Sequence, residues 1–75
     1  MMLGGEQMDN KIDRKTYSLK ELRARKNLTQ KQVANSLGVS TQTYNSWEKD
    51  ISNVAVSKVQ LVANFYGVKI DEIFF

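Results

Sequence analysis

An all-α fold is what this 75-residue sequence predicts, and two observations carry the prediction. Three times a Ser or Thr is followed three residues later by Glu or Gln: Ser18 with Glu21, Thr29 with Gln32, and Ser57 with Gln60. Each pair is a capping box, in which the two side chains satisfy N–H groups that the start of a helix leaves without partners. Between these starts and the glycines at positions 38 and 67, apolar residues recur at three- and four-residue intervals, the spacing of one helical face.

The elements follow in order. After Ser18 a helix runs towards Lys26, with Tyr17 and Leu22 at the two positions of a hydrophobic staple and Leu19, Leu22 and Arg23 on one face. Asn27 follows it, a residue that tolerates left-handed backbone better than most. Thr29 opens a second helix, Leu28 and Val33 staple it, and Val33, Ala34 and Leu37 form its apolar face. Gly38 supplies the left-handed residue that ends this helix without a Cβ clash. Ser40 then restarts the chain as the next N-cap, with Val39 and Tyr44 as staple, so the turn between the second and third helices is short and rigid. A fourth helix is expected to open at Ser57, with Val56 and Leu61 as its staple, and to end at Gly67. Val59, Val62, Ala63 and Tyr66 make one stripe on it and Leu61 with Phe65 a second. In the closing VKIDEIFF, Asp71 and Glu72 suit a helix N-terminus.

At about 100° per residue, the third helix has two faces of different chemistry. Tyr44, Trp47, Glu48 and Ile51 share one, and Gln42, Asn45, Ser46 and Lys49 share the other, flanked by Thr41. The polar stripe fits a solvated helix surface, but such surfaces usually carry more Lys and Glu, and Lys49 is the one ionised group here. Short amides and hydroxyls suit the major groove of DNA, where Gln or Asn bonds adenine in bidentate fashion and Ser or Thr addresses a base edge or a thymine methyl.

Glu48 lies on the apolar face, where an unpaired carboxylate is costly. Arg23 points inward from the first helix, so the two form a candidate buried ion pair that fixes how the first helix docks on the third. The other arrangement open to Arg23 is to reach solvent and leave Glu48 alone.

The pattern R-x4-L-T-Q-x2-V-A-x2-L-G-V-S-x6-W-E, from Arg23 to Glu48, resembles the phage repressor and Cro (XRE-type) family of helix-turn-helix domains. The resemblance continues through Leu61, Ala63, Tyr66, Gly67, Val68 and Ile73, and so spans Ser18 to Phe74. It implies a five-helix, lambda-repressor-like DNA-binding domain occupying residues 16–75, with Ile73 facing the core. It also implies a base-reading set of Thr41, Gln42 and Ser46, with Thr43 and Asn45 at positions nearer the backbone or groove wall, while the helical stripe adds Asn45 to the base-reading set. Gln30 matches the family glutamine that grips a phosphate, a task suited to a helix N-terminus. Thr29, Thr43, Lys49 and Asn53 complete the expected phosphate contacts, and Arg23 with Glu48 match the family's internal ion pair. Two departures stand out: the loop KDISNVAVS lacks the Gly and Pro common there, which weakens the carry-over to Lys49, Ser52 and Asn53, and Asn27 replaces the usual Gly.

Composition sets outer bounds. A chain this short holds one modest core, burying about 60% of its unfolded surface. With neither Cys nor His there is no disulfide, no thiol chemistry and no evident zinc or nucleophile–base site, so no enzyme activity, cofactor, metal or small-molecule ligand is expected. No apolar run approaches the roughly 18 residues of a membrane span, and MMLGGEQMDN lacks the basic start and apolar core of an export signal, so a cytoplasmic location is expected. Of the 11 Lys and Arg residues, eight fall between Lys11 and Lys31, opposed only by Asp13 and Glu21. A basic segment leading into the motif would be drawn to phosphates and would make binding salt-dependent.

Residues 1–15 carry a Gly-Gly pair and no periodicity, and read as a flexible tail whose Lys11, Arg14 and Lys15 either form a DNA-touching arm or have no role. At the other end, Phe65, Phe74 and Phe75 are surplus to a single core and mark a candidate homodimer interface. A two-fold dimer would set two reading helices about 34 Å apart on a pseudo-palindromic operator. The competing reading is an antitoxin-like module that uses Leu61, Phe65, Phe74 and Phe75 to cap a protein partner and binds DNA secondarily.

Overall fold

The computed structural model describes residues 16–74. They form four α-helices, α1 (Leu19–Lys26), α2 (Gln30–Leu37), α3 (Thr41–Lys49) and α4 (Val56–Tyr66), followed by one 3₁₀ turn at Ile70–Glu72. The expected tail, with Lys11, Arg14 and Lys15, lies outside the described residues, as does Phe75.

The first three helices begin as their sequences dictate. Ser18 Oγ accepts from the Glu21 amide at 3.1 Å while the Ser18 amide donates back to Glu21 Oε1 at 3.4 Å. Thr29 and Gln32 repeat the exchange at 3.1 and 2.8 Å. Ser40 Oγ accepts from the Thr43 amide at 3.0 Å. Left-handed residues end α1, α2 and α4: Asn27 at φ 59°, Gly38 at φ 74° and Gly67 at φ 70°. At Gly38 the turn is closed by its own amide and that of Val39, which donates to Ala34 O at 3.0 Å. Only Gly38, Val39 and Ser40 separate α2 from α3, so the angle between the two helices is set by backbone bonds.

Two expectations are corrected. The fourth helix starts at Val56, with Ala55 as its cap and no side-chain cap bond, instead of at a Ser57 capping box. The amides of Lys58 and Val59 both donate to Ala55 O, at 2.9 and 3.1 Å, and Gln60 turns its Nε2 forward to Asn64 Oδ1 at 2.9 Å. Val56 and Leu61 are exposed and form no staple. With Ala55 O already accepting both amides, the backbone ladder is under way before Ser57, and Val59, Val62, Ala63 and Tyr66, all buried, form the inner stripe of the helix.

The second correction is the helix count: four α-helices stand where five were expected, because the segment holding Asp71 and Glu72 makes only the 3₁₀ turn. Ile73 leaves it in extended backbone and pairs in parallel with Tyr17. The Tyr17 amide donates to Glu72 O and the Phe74 amide to Tyr17 O, each at 2.7 Å. Those bonds consume the groups that a longer helix would need, and Ile73 is drawn into the core.

The core gathers every element: Leu19 and Leu22 from α1, Val33 and Ala34 from α2, Tyr44 and Trp47 from α3, Ile51, four residues of α4, and Ile73. Tyr44 is fully buried, and its hydroxyl shares a 2.6 Å hydrogen bond with that of Tyr66. Burial pushes both phenols up, so both stay protonated. Docking Tyr44 and Trp47 inward turns the opposite side of α3 to solvent.

Candidate nucleic-acid interface

The exposed side of α3 carries Thr41, Gln42, Thr43, Ser46 and Lys49, with Asn45 half-buried at its edge. Local bonds fix part of this surface. Ser40 Oγ donates to Thr43 Oγ1 at 2.9 Å, and Ser46 Oγ donates back to Thr43 O at 2.7 Å. The Thr29 hydroxyl is engaged in its own helix cap.

Behind this surface lies a network centred on Glu48, whose side chain is only 6% exposed. Arg23 Nε donates to Glu48 Oε2 at 2.6 Å and Nη2 donates to Oε1 at 3.3 Å. Arg23 Nη1 donates to Leu28 O at 3.0 Å, joining the end of α1 to the start of α2. Gln30 Nε2 donates to Glu48 Oε1 at 2.9 Å, and Gln30 Oε1 accepts from Asn45 Nδ2 at 3.1 Å. Burial alone would raise the Glu48 carboxyl, but the bonds from Arg23, Gln30 and Tyr44, with the charge of Arg23, outweigh it and hold the carboxyl below its usual range. The bond to Glu48 likewise raises the Arg23 guanidinium, so both groups are charged at neutral pH.

This arrangement brings together four residues that the sequence placed in three separate roles. Gln30 is oriented at both ends of its amide, and Asn45, half-buried, is the donor at one of them. Neither bond has a sequence signal, since the partners lie 18 and 15 residues apart. A local signal did exist for the loop after α3. Asp50 two residues before Ser52 is an Asx-turn pattern, and Asp50 Oδ1 accepts from the Ser52 amide at 3.0 Å and its hydroxyl at 2.6 Å. Those bonds lower the Asp50 carboxyl and place a fixed negative charge between Lys49 and the exposed Asn53.

Phe65 and Phe74 are not gathered into one patch. Phe65 is half-buried, edge-on to Tyr66 with ring centroids 5.0 Å apart, and lies beneath the Lys26 ammonium at 5.8 Å. Phe74, 62% exposed, borders a cleft of about 210 Å³ with Ser18, Leu19, Trp47 and Ile51. Phe65 is thus tied to the last residue of α1 and Phe74 to the residues at its start.

A helix-turn-helix family model matches residues 19–73, and the chain belongs to that family. Over 55 residues it is 38% identical to the cryptic phage CTXphi transcriptional repressor RstR of Vibrio cholerae, covering 73% of this chain and 50% of that one. Over 56 residues it is 45% identical to an uncharacterized HTH-type transcriptional regulator of Methanocaldococcus jannaschii, covering 75% of this chain and 85% of the other. A third relative, 36% identical over 55 residues, is the HTH-type transcriptional activator BcrR of Enterococcus faecalis, of which the match covers 27%, against 73% of this chain. The chain thus spans half the length of the first of these and a smaller part of the third. No solved structure matches it. Among the described residues no helix is long and apolar enough to cross a membrane, and no group of His, Cys, Asp and Glu is placed to hold a metal ion.

Proposed function

We propose that this chain is a sequence-specific DNA-binding regulator of transcription, a small phage-type repressor that acts by occupying an operator as a homodimer. The observation that carries the reading is the outer side of α3: exposed amide and hydroxyl side chains on a helix whose inner side is locked to the core and whose entry is a three-residue turn. Thr41, Gln42 and Ser46, with Asn45 at the margin, read base edges in the major groove. Thr29, Gln30, Thr43, Lys49 and Asn53 lie along the flanking backbone and set register without carrying sequence information. The relatives support a transcriptional role, their names including a repressor, a regulator and an activator.

A gel-shift titration on DNA flanking the chain's own gene, against scrambled DNA of equal length at two salt concentrations, tests this. Tight binding confined to the flanking DNA is expected. Weak, equal and salt-sensitive binding to both would overturn the reading and favour a protein-capping role for Leu61 and Phe74, both exposed.

The proposed dimer uses Phe65, Phe74 and Phe75, with two copies of α3 presented to successive major grooves of a pseudo-palindrome. Analytical ultracentrifugation without DNA is expected to show dimer at high micromolar concentration. Monomer alone under those conditions would remove the preformed dimer and leave association on the operator.

A further inference from the structure

We propose that a polar cleft between the start of α1 and the end of α3 seats one phosphodiester of the DNA backbone, and that Lys20, which lies outside the helix-turn-helix itself, is one of its donors. The inference rests on the DNA-binding reading above and adds a specific anchor to it.

The cleft has a volume of about 440 Å³, and every residue that lines it is polar: Lys20, Arg23, Gln30, Asn45, Glu48 and Lys49. Its charges do not cancel. Arg23 and Glu48 neutralise each other at 2.6 Å, which leaves two ammonium groups, from different helices, bordering one small space. Like charges brought to a shared cleft repel, and an anion between them turns that repulsion into attraction. A phosphodiester is a monoanion with oxygens on more than one side, so it can accept from both lysines at once.

Gln30 adds a directed donor to this space. Its Nε2 spends one hydrogen on Glu48 Oε1 and its Oε1 is held by Asn45, so the amide cannot turn over and the second hydrogen on Nε2 has a fixed direction. The half-buried ion pair thus acts on the cleft through Gln30: Arg23 holds Glu48, Glu48 orients Gln30, and Asn45 fixes the far side of the amide. Through this bond Asn45 also positions Gln30 for a backbone contact.

The location fits a backbone seat. Lys49 lies seven residues after Gln42, about 10 Å along α3 at 1.5 Å per residue. The major groove is about 12 Å wide, so a helix whose first turn reaches base edges brings its last turn close to the groove wall.

The test is a fluorescence-anisotropy salt series on the flanking and scrambled duplexes with wild type, Lys20→Ala, Lys49→Ala, the double variant, and Lys69→Ala as a control outside the cleft. Lys20 is exposed and its removal leaves the core untouched, which a thermal melt verifies. Lys20→Ala is expected to weaken binding several-fold on both duplexes and to lower the slope of log K against log salt by about one, while Lys69→Ala changes neither. Because the two lysines share one phosphate, the double variant is expected to lose less than the product of the two single losses. A Lys20→Ala slope equal to wild type, or a double variant that loses the full product, would overturn the shared seat while leaving DNA binding in place. A wild-type chain that binds neither duplex would overturn the DNA reading, and this inference with it.

Discussion

Glu48→Ala is expected to lower the stability of the fold by about 3 kcal/mol, the scale at which one member of a buried ion pair is lost. For a domain of this size that is a fall in Tm on the order of 15 °C. The carboxylate accepts from Arg23 Nε, Arg23 Nη2 and Gln30 Nε2, so its removal leaves a guanidinium only 19% exposed without its counter-charge and a half-buried amide N–H without an acceptor. Most of the loss comes from that stranded charge and not from the attraction itself. The double variant Arg23→Met with Glu48→Ala is therefore expected to recover part of the stability. Thermal and urea unfolding followed by circular dichroism measure both, and a Glu48→Ala melt at the wild-type temperature would mean the pair contributes nothing.

The same pair gives the fold an acid limb. The Glu48 carboxyl in the folded chain lies below its usual value, so folding favours the ionised form. Its contribution is complete above the unfolded value of about 4.3 and disappears as pH falls through the lower folded value. The stability difference between wild type and Glu48→Gln is accordingly constant near neutral pH and shrinks below about pH 4.

What the sequence made legible was what neighbours in the chain decide. The capping boxes at Ser18 and Thr29, the left-handed Asn27 and Gly38, and the inward face of α3 are all set within one or two helical turns, and each is in the structure. Arg23 and Glu48 were legible across 25 residues only because each is a charge stranded on an apolar face. The features that escaped were decided elsewhere. α4 starts at Val56, where Ala55 O accepts the first helical amides, against a local Ser57 signal. The 3₁₀ turn stops because Ile73 pairs with Tyr17, a contact between opposite ends of the domain. The bond from Asn45 to Gln30 had no local signal either, because its partners lie 15 residues apart on different helices.

On the proposed DNA-binding reading, the first turn and middle of α3 carry the base contacts, Gln42 foremost. Thr41 and Ser46 carry one short hydroxyl each, and Ser46 Oγ is already bonded to Thr43 O. Gln42 is exposed and carries the longest amide on the outer stripe, with both a donor and an acceptor for an adenine edge. Gln42→Ala is expected to cost about 1–3 kcal/mol at the operator and to flatten base preference at one position of each half-site, with little change on random DNA. Gln42 is uncharged, so the salt slope should stay at the wild-type value, in contrast to the change expected on removing a cleft lysine. Competition binding against a set of singly substituted operators resolves the two effects. Equal losses of Gln42→Ala on cognate and random DNA would remove its reading role and transfer specificity to Thr41 and Ser46, or to the shape of the DNA that the backbone contacts impose.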